Sequence, residues 1–415
     1  MSSPDSKAIT KELASAAEAL HASPRDLGAW WRIADALAEL GDTKAAGECL
    51  ADLGRAASDL GAVALAVSCV LALRKSGDDR QGSALLDRIA KTHCRDSKRV
   101  EHAQGRVPPA PPAPAGPAAD VDADAKKSAK AAVNAAVKDA RARAPKTLPP
   151  TPLIRFLSAE DFQTLVDVMT SERFSRGQVI VDFGDTADAL YWIARGGVEV
   201  SRGEKLLGEL RSDAFFGEIA LIGATTRTAR VACLEETDVL VIPAVAALEL
   251  VGKAPSLAKV LASHARSRLL SNVMRTSELF RRLSRDERRS LLPHFETTIA
   301  EEGDFVLKAG EDNQSFFVLA SGSCSVMSGD TSISELGVGH GFGEMSMLGR
   351  KPATFDVVAT SSALLLSVSR DKFNTIAADH PELLAEVYKL LVDRERENEG
   401  VAVDATIVDA DDLII

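Results

Sequence analysis

The stretch FGEIALIGATTRTARV at residues 216–231 indicates how most of this chain folds, because a second copy follows it 126 positions later. The second copy, at residues 342–357, reads FGEMSMLGRKPATFDV. Both copies open with Phe-Gly-Glu and continue with apolar residues. Only the first has an arginine, Arg227, nine residues after its glutamate, and the second has Ala353 there. The pair predicts one backbone that is built twice with different chemistry.

The duplication extends over about 240 residues without gaps, and its glycines recur at matching turn positions, as in Gly177 and Gly303 or Gly196 and Gly322. Short apolar stretches between Gly-rich or Asp-rich turns predict strands, and helices are expected at both ends of each copy. We therefore predict a multidomain α+β chain with two jelly rolls or small β-barrels, each flanked by helices. The predicted strands of the first copy are Gln178–Phe183, Leu190–Ala194 and Val198–Ser201, and the predicted closing helices of the two copies are Ala244–Val251, Ser256–Met274, Asp371–Asp379 and Pro381–Glu397.

The first hundred residues are rich in Ala and Leu at helical spacing. Trp30, Ile33, Leu37 and Leu40 fall on one side of a helix that Gly41-Asp42 ends, and a weaker copy that starts near Ala66 ends at Gly77-Asp78. A period of 36 residues is typical of helix-turn-helix arrays. The motif resembles a tetratricopeptide repeat at Trp30, Ala34, Leu37, Gly41 and Ala46. The resemblance implies a groove that docks a protein partner, and a plain helical bundle or a dimerisation element is the alternative.

Composition divides the chain into five parts. We expect a tetratricopeptide-like helical domain at 1–104, a Pro/Ala-rich linker at 105–152, the two copies at 153–275 and 276–398, and an acidic tail at 399–415. The linker contains PPAPPAPAGP, which favours extended polyproline II backbone. The following Ala/Lys/Asp stretch shows little apolar stripe, so we expect it to be a solvated helix. For the tail, a docking peptide, a loose end and an added strand remain open.

Bulk composition excludes several classes of function. A net charge of −11 argues against nucleic-acid binding, and the apolar runs are too short to span a membrane. Five scattered cysteines without a CxxC pair predict free buried thiols in a reducing cytoplasm. No cluster with metal-ligand spacing and no catalytic constellation appears, so we expect neither a metal, nor a cofactor, nor an enzyme.

The first copy of the motif has the chemistry of a binding loop. Gly217 lets the backbone approach a ligand closely, and the Glu218 carboxylate can accept hydrogen bonds from hydroxyls. Residues 219–222 read as one helical turn whose first N–H groups suit a phosphate oxygen. Arg227 adds a planar fork of donors for the same oxygen atoms. The loop is predicted to hold a small anion that also carries hydroxyls.

These residues resemble the phosphate-binding cassette of cyclic-nucleotide-binding domains, and the resemblance covers both copies. It implies that Glu218 binds the ribose 2′-hydroxyl, that Arg227 pairs with the cyclic phosphate, and that the backbone near Ala220 also meets the phosphate. Ile219 and Ala229 would line the pocket, and Thr228 would lie beside the base. A threonine at that position occurs in family members that prefer cGMP and in members that prefer cAMP, so we expect either nucleotide, with a slight lean towards cAMP. The predicted helix Ser256–Met274 would be the mobile lid over the base.

Some residues depart from the family pattern. Asp213-Ala214 stands where the family has Gly-Asp, but aspartate tolerates a left-handed turn, and Thr226 stands where a proline is usual. The second copy has Ala353 for the arginine and Asp356 nearby, which disfavours a phosphate. Arg350 or Lys351 could substitute only with different geometry, so we predict that the second copy binds no nucleotide.

The sequence therefore predicts a cytoplasmic regulatory protein that binds cAMP or cGMP in its first barrel and transmits a conformational change to a protein partner through its N-terminal repeats. The alternative is an adaptor whose barrels bind no nucleotide. The motif Arg-Arg-Leu-Ser at 281–284 resembles a substrate or inhibitor site of cyclic-nucleotide-dependent kinases. Because Leu283-Ser284 aligns with Leu157-Ser158, and an acid follows each serine after three residues, we interpret both serines as helix N-caps.

Overall fold

The chain folds into a layer of helices followed by two β-barrels. A computed structural model describes residues 4–100, 125–148, 150–218, 226–253, 255–349 and 352–393. The helical layer consists of α1 (Pro4–Ala22), α2 (Leu27–Glu39), α3 (Thr43–Leu60), α4 (Val63–Lys75), α5 (Asp79–His93) and α6 (Ala125–Arg143).

Aspartates set the starts of three of these helices. The side chain of each aspartate accepts a hydrogen bond from the backbone N–H three residues later, as seen at Asp26, Asp42 and Asp78. This bond satisfies one of the amides that a helix leaves unpaired at its N-terminus. The predicted breaks at residues 41–42 and 77–78 are confirmed. Trp30 and Ile33 are fully buried, as the spacing predicted. The pairing of α2 with α3 and of α4 with α5 is therefore observed, whereas kinship with tetratricopeptide repeats stays a prediction.

Helix α6 differs from the sequence expectation. Residues 118–144 were expected to be solvated, but α6 packs along α1 and against α3. Its buried face consists of small residues at helical spacing, namely Ala125, Ala129, Ala132, Val133, Ala136 and Ala140. An alanine stripe adds little to an apolar pattern, yet it lets two helices approach closely. Lys126, which pairs with Asp42 at 2.9 Å, fixes one end of α6 to the start of α3.

The first barrel begins with α7 (Ala159–Asp167) and contains two four-stranded antiparallel sheets. The sheet orders are β1-β8-β3-β6 and β2-β7-β4-β5. The bounds are β1 (Thr170–Phe174), β2 (Val179–Val181), β3 (Ala189–Arg195), β4 (Gly197–Arg202), β5 (Lys205–Arg211), β6 (Phe215–Phe216), β7 (Arg230–Cys233) and β8 (Thr237–Pro243). Helices α8 (Ala244–Lys253) and α9 (Pro255–Thr276) follow.

The second barrel repeats this plan after α10 (Arg285–Leu291), with sheet orders β9-β16-β11-β14 and β10-β15-β12-β13. The bounds are β9 (Glu296–Ala300), β10 (Phe305–Leu307), β11 (Ser315–Ser321), β12 (Cys324–Ser328), β13 (Thr331–Leu336), β14 (Gly341–Phe342), α11 (Glu344–Gly349), β15 (Asp356–Ala359), β16 (Ala363–Ser369) and α12 (Arg370–Asp379). Residues 381–393 form a last helix, α13, within the part of the chain that is described. Strands β9, β11 and β16 start 126 residues after β1, β3 and β8, so the duplication is confirmed in the backbone.

The glycine pair after β3 serves a sheet crossing. Strands β3 and β4 lie in different sheets, so Gly196-Gly197 carries the chain from one sheet to the other instead of closing a hairpin. Gly196 has φ 89°, and a Cβ there would lie 2.5 Å from the carbonyl oxygen of Glu236. Gly322, at the matching position of the second barrel, meets the same obstacle at Ser362. A side chain is therefore excluded at both crossings.

Two apolar cores lie outside the barrels, and α9 takes part in both. One core joins the helical layer to the first barrel, and it includes Trp30, Trp192 and, from the first half of α9, Leu261. The other lies beside the second barrel and includes Leu269 and Val273 from the second half of α9. The continuous first core means that the helical layer and the first barrel pack as one body, while the predicted domain limits stay predictions.

Two further expectations bear on these elements. All five cysteines are free and buried, as predicted. Burial raises the pKa of the Cys49 thiol to about 12, so this thiol stays protonated and unreactive. None of the helices described is both long enough and apolar enough to cross a membrane.

Candidate functional site

Arg227 is a buried cation with incomplete partners. Its side chain is 4% exposed, and its Nη1 donates to the carbonyl oxygen of Ala189 at 2.8 Å. Nη2 donates to Oδ1 of Asp188 at 3.2 Å, but the Asp188 side chain is 75% exposed. The buried Nε has no hydrogen-bond partner among the described residues. A desolvated guanidinium with one free donor and one solvent-screened counter-charge favours an anion.

The guanidinium of Arg227 is held in place by an aromatic pair and a glycine. It lies 5.4 Å from the ring centroid of Tyr191, which stacks on Phe216 at 4.9 Å. Gly217 has φ 89°, and a Cβ at that position would lie 2.8 Å from both Arg227 Nη1 and the Ala189 carbonyl oxygen. The close approach that the sequence assigned to Gly217 is therefore made here to the arginine itself.

Glu218 is buried and is paired with an arginine from another element. Its side chain is 1% exposed, and Nη1 of Arg268 on α9 donates to its two carboxylate oxygens at 2.9 and 3.0 Å. The same nitrogen donates to the carbonyl oxygen of Phe215. Burial raises the pKa of Glu218, and Arg268 opposes that rise. The carboxylate expected to hold a ribose is thus occupied by a side chain of the predicted lid helix.

The structure places the other predicted site residues only in part. Gly217 links the two charged residues, because Glu218 directly follows it in the chain and Arg227 lies against it. Ala229 is buried and Thr228 is half-buried beside the arginine in the chain. Ile219 and Ala220 lie outside the described residues, as does the predicted turn at 219–222.

The turn before the cassette adopts the backbone that the sequence predicted. Asp213 has φ 64°, and it is the one non-glycine residue with positive φ among those described. Aspartate tolerates this left-handed conformation because its short side chain can hydrogen-bond locally. The matching residue in the second barrel is Gly339, with φ 93°. Asp213 therefore makes the same left-handed turn that a glycine makes in the second barrel.

In the second barrel a different residue fills the position of the arginine. Nδ2 of Asn313 donates to the carbonyl oxygen of Ser315 at 2.7 Å, and Ser315 aligns with Ala189. A Cβ on Gly343 would lie 2.9 Å from the same nitrogen of Asn313. In the first barrel a Cβ on Gly217 would lie 2.8 Å from Nη1 of Arg227. The neutral amide of Asn313 thus occupies the place of the Arg227 guanidinium.

The second cassette is tied to its own barrel by hydrogen bonds from Asn313 and Arg370. Asn313 Nδ2 also donates to Oγ of the buried Ser346 at 3.1 Å. Arg370 donates to the carbonyl oxygens of Met347 and Ser346 at 2.7 and 3.1 Å, which ties down the exposed carbonyls of α11. Arg370 aligns with Ala244, so the first copy has a methyl side chain at the position of this arginine. Arg350 and Lys351, considered as substitutes for the arginine, lie outside the described residues.

Two residues of the site, Arg268 and Asn313, did not follow from the sequence. Arg268 lies 50 residues after the glutamate that it pairs with, and Asn313 lies 40 residues before Ala353, the residue that aligns with the arginine. The one available signal for Asn313 was its alignment with Ala187, which places a polar residue where the first copy has a methyl group. No such signal existed for Arg268.

The motif Arg-Arg-Leu-Ser is folded into a helix start, as interpreted from the sequence. Oγ of Ser284 accepts a hydrogen bond from the backbone N–H of Glu287 at 3.3 Å. In return, the backbone N–H of Ser284 donates to the Glu287 carboxylate at 2.6 Å. Ser158 likewise accepts the Asp161 amide at 3.0 Å in the first barrel. Both serines are therefore confirmed as N-caps.

One group with possible metal-ligand spacing occurs among the described residues. Glu287, His380 and Glu382 offer ligand atoms within 4.8 Å of one another. A carboxylate oxygen of Glu287 is used by the capping box, and His380 Nδ1 already lies 3.3 Å from Glu382 Oε1. These contacts account for the cluster without a cation.

Comparison with known proteins agrees with this geometry. The family described as "Cyclic nucleotide-binding domain" matches residues 171–253 and again residues 298–380. The cGMP-dependent protein kinase egl-4 of Caenorhabditis elegans is 27% identical over 233 residues, covering 54% of this chain and 29% of the kinase. The cAMP-dependent protein kinase regulatory subunit of Debaryomyces hansenii is 25% identical over 242 residues, covering 58% of this chain and 52% of the subunit.

Among solved structures, the regulatory domain of Toxoplasma gondii PKA with cAMP is similar with 19% identity. The match covers 59% of this chain and 92% of that chain, with a TM-score of 0.29. This chain spans about half or less of the length of the curated relatives described above. The two matched segments coincide with the two barrels, so the model of a cyclic nucleotide-binding domain matches this chain twice in tandem.

Proposed function

We propose that this protein is a regulator whose first barrel binds cAMP or cGMP and whose second barrel does not. Arg227 would hold the cyclic phosphate, and Glu218 would accept a hydrogen bond from the ribose 2′-hydroxyl. The observation that carries the proposal is the buried guanidinium of Arg227, whose Nε lacks a partner among the described residues. The relatives described as cGMP-dependent and cAMP-dependent kinase proteins support the choice of ligand class.

Ligand binding would compete with Arg268 for Glu218. The carboxylate is almost fully buried and both of its oxygens are engaged by Arg268, so a ribose hydroxyl must displace that contact. The exchange replaces a buried ion pair by ligand hydrogen bonds, and the phosphate compensates the charge of Arg227. The two arginines would therefore respond oppositely to ligand, since Arg227 gains a partner and Arg268 loses one.

Helix α9 would carry this change to the second barrel. Arg268 is directly followed in the chain by Leu269, which is buried in the core beside the second barrel. Nη2 of Arg266 also donates to the carbonyl oxygen of Phe295, at the start of that barrel. A shift of α9 on release of Arg268 would thus move side chains that the second barrel packs against. We place a protein partner on the N-terminal helices, which share a core with the first half of α9, and we assign no catalytic role.

Thermal unfolding of the full chain with and without nucleotide tests the proposal. A saturating ligand stabilises the folded state by mass action, so cAMP or cGMP should raise the Tm of the wild type. At the same nucleotide concentration Arg227→Ala should show little of that rise, because its affinity is lower. Unchanged Tm values in the wild type with both nucleotides would contradict the proposal.

A nucleotide-independent adaptor is the second candidate. The observation in its favour is that Arg268 already satisfies Glu218, as a permanent structural pair would. In that case Arg268→Ala would destabilise the protein and would confer no binding of either nucleotide. Capture of the same protein partners by the wild type and by Arg227→Ala, with and without nucleotide, would favour the adaptor.

A further inference from the structure

The turn that precedes the first cassette makes a contact that its backbone alone does not require. Oδ1 of Asp213 accepts a hydrogen bond from the backbone N–H of Ala64 at 2.8 Å. The backbone amide of Val63 also hydrogen-bonds to this carboxyl group. Val63 and Ala64 are the first two residues of α4. The residue before them, Ala62, offers no side-chain cap. A residue of the barrel therefore caps a helix of the helical layer, 149 positions away in the chain.

The second barrel shows what this turn looks like without the carboxylate. Gly339 aligns with Asp213, and in both barrels the amide of this residue donates to the same strand position, Ile193 or Leu319, at 2.8 Å. The carbonyl oxygen of Gly339 accepts a hydrogen bond from Oγ of Ser277, the residue that follows α9, at 2.7 Å. Each turn is thus docked on a helical segment that comes earlier in the chain than its barrel. In the first barrel that segment is α4, and the docking atom is a side-chain oxygen.

Glycine would be the less strained choice at position 213. A positive φ is strained for an L-residue, whereas glycine adopts it freely. Aspartate is present instead, and the hydrogen bonds that its carboxylate makes are with α4. The side chain therefore serves the contact between the helical layer and the cassette.

The same turn is held from its other side by the lid helix. Nη1 of Arg268 donates to the carbonyl oxygen of Phe215, two residues after Asp213, as well as to Glu218. The segment between Asp213 and Glu218 is thus fixed to α4 at one end and to α9 at the other. A ligand that displaces Arg268 from Glu218 also releases Phe215, because one nitrogen makes both contacts.

We infer that the helical layer is a built-in regulator of the first cassette, and that Asp213 is the positioning residue that links the two. Docking of α4 on Asp213 stabilises the arrangement in which Arg268 occupies Glu218. Docking and nucleotide binding therefore oppose each other, and by linkage each weakens the other by the same factor. This inference rests on the proposed function for its ligand, but the docking contact itself stands on the geometry.

The test is calorimetric titration of the full chain with cAMP and cGMP, comparing the wild type with Asp213→Gly. The variant keeps the backbone freedom that φ 64° requires and removes the cap. We expect it to bind nucleotide about 2- to 30-fold more tightly, the range of a helix cap. Asp26→Gly is the matched control, because Asp26 caps α2 inside the helical layer. This control should bind like the wild type.

Hydrogen exchange of peptides covering the start of α4 provides the second readout. Exchange should be faster in Asp213→Gly than in the wild type, and nucleotide should accelerate it in the wild type alone. Equal affinities of the wild type and Asp213→Gly, with binding lost in Arg227→Ala, would overturn this inference and leave the proposed function intact. Absence of binding in the wild type would refute the proposed function and the linkage, and unchanged exchange in Asp213→Gly would refute the docking contact.

Discussion

In the first barrel the carbonyl oxygen of Ala189 accepts a hydrogen bond from a charged guanidinium, and in the second the aligned carbonyl of Ser315 accepts one from a neutral amide. Strands, crossings and helix starts match at a spacing of 126 residues. The arginine comes from the far end of its cassette, whereas Asn313 comes from the loop before β11. One backbone therefore hosts two different side chains at one point in space.

The difference has an electrostatic consequence. The buried guanidinium of Arg227 keeps one donor unpaired among the described residues, while the amide of Asn313 is shared between Ser315, Gly343 and Ser346. A neutral amide with three acceptors nearby gains little from an anion. We therefore expect the first barrel to exchange partners on ligand binding and the second to keep its own.

The largest effect should come from the arginine and its replacement. Arg227→Ala should weaken nucleotide binding by about 2–5 kcal/mol, because the cyclic phosphate would lose its buried counter-charge. That corresponds to about 30-fold or more in affinity. Asn313→Ala is the matched variant in the other barrel, and it should leave nucleotide affinity unchanged. Calorimetric titration of both variants checks this, and similar losses in the two would contradict the division of roles.

A second experiment converts one barrel towards the other. Ala353→Arg alone should add no site, because Asn313 occupies the space of the guanidinium. The double variant Asn313→Ala with Ala353→Arg restores the residues found at 187 and 227, so it should add a second site about tenfold or more weaker than the first, since Phe355 and Asp356 remain. The number of bound nucleotides per chain reports the outcome. A second site in the single variant would show that Asn313 does not exclude the arginine.

Replacing Arg268, which competes with the ligand for Glu218, should increase the difference between the two barrels. Arg268→Ala leaves a buried carboxylate unpaired, so the ligand-free protein should lose about 2–4 kcal/mol of stability. Nucleotide affinity should rise by up to about tenfold, because no ion pair has to break before the ribose binds. Arg268→Lys keeps the positive charge, so its stability and its nucleotide affinity should lie between those of the wild type and those of Arg268→Ala. Denaturant unfolding and titration of the same samples measure both effects, and weaker binding in Arg268→Ala would mean that this arginine helps the ligand.

A smaller effect is expected from pH. Burial raises the pKa of Asp213 from 3.8 to about 7, so the folded protein holds this proton more tightly than the unfolded chain does. The stabilisation is complete below pH 4 and is lost as the pH rises through 7. Asp213→Asn keeps an acceptor for Ala64 but does not titrate. Between pH 5 and pH 8 the Tm of Asp213→Asn should fall by about 2–4 °C less than the Tm of the wild type does. Parallel curves would show that this carboxyl does not drive the pH dependence.

The sequence predicted well what depends on period and on local backbone. The spacing of 126 residues placed the second barrel on the first, and the helix breaks after α2 and α4 followed from Gly-Asp pairs. The left-handed turn at Asp213 followed from the tolerance of aspartate for positive φ. Each of these predictions needed only residues that are neighbours in the chain or in the repeat.

The features that the sequence did not predict all depend on contacts between distant segments. Arg268 reaches Glu218 from the next helix, and the partner of Asp213 is a backbone amide in another layer. Helix α6 buries alanines, whose weak hydrophobicity hides a packed face. Spacing rules cannot identify such partners, because the fold alone brings them together.

The central claim is that one chain binds one cyclic nucleotide, in the first barrel. Calorimetric titration of the full chain with cAMP and with cGMP tests it most directly. We expect one bound nucleotide per chain for at least one of the two, and an affinity at least about 30-fold lower in Arg227→Ala. Two bound nucleotides per chain, none in the wild type, or unaltered binding in Arg227→Ala would contradict it.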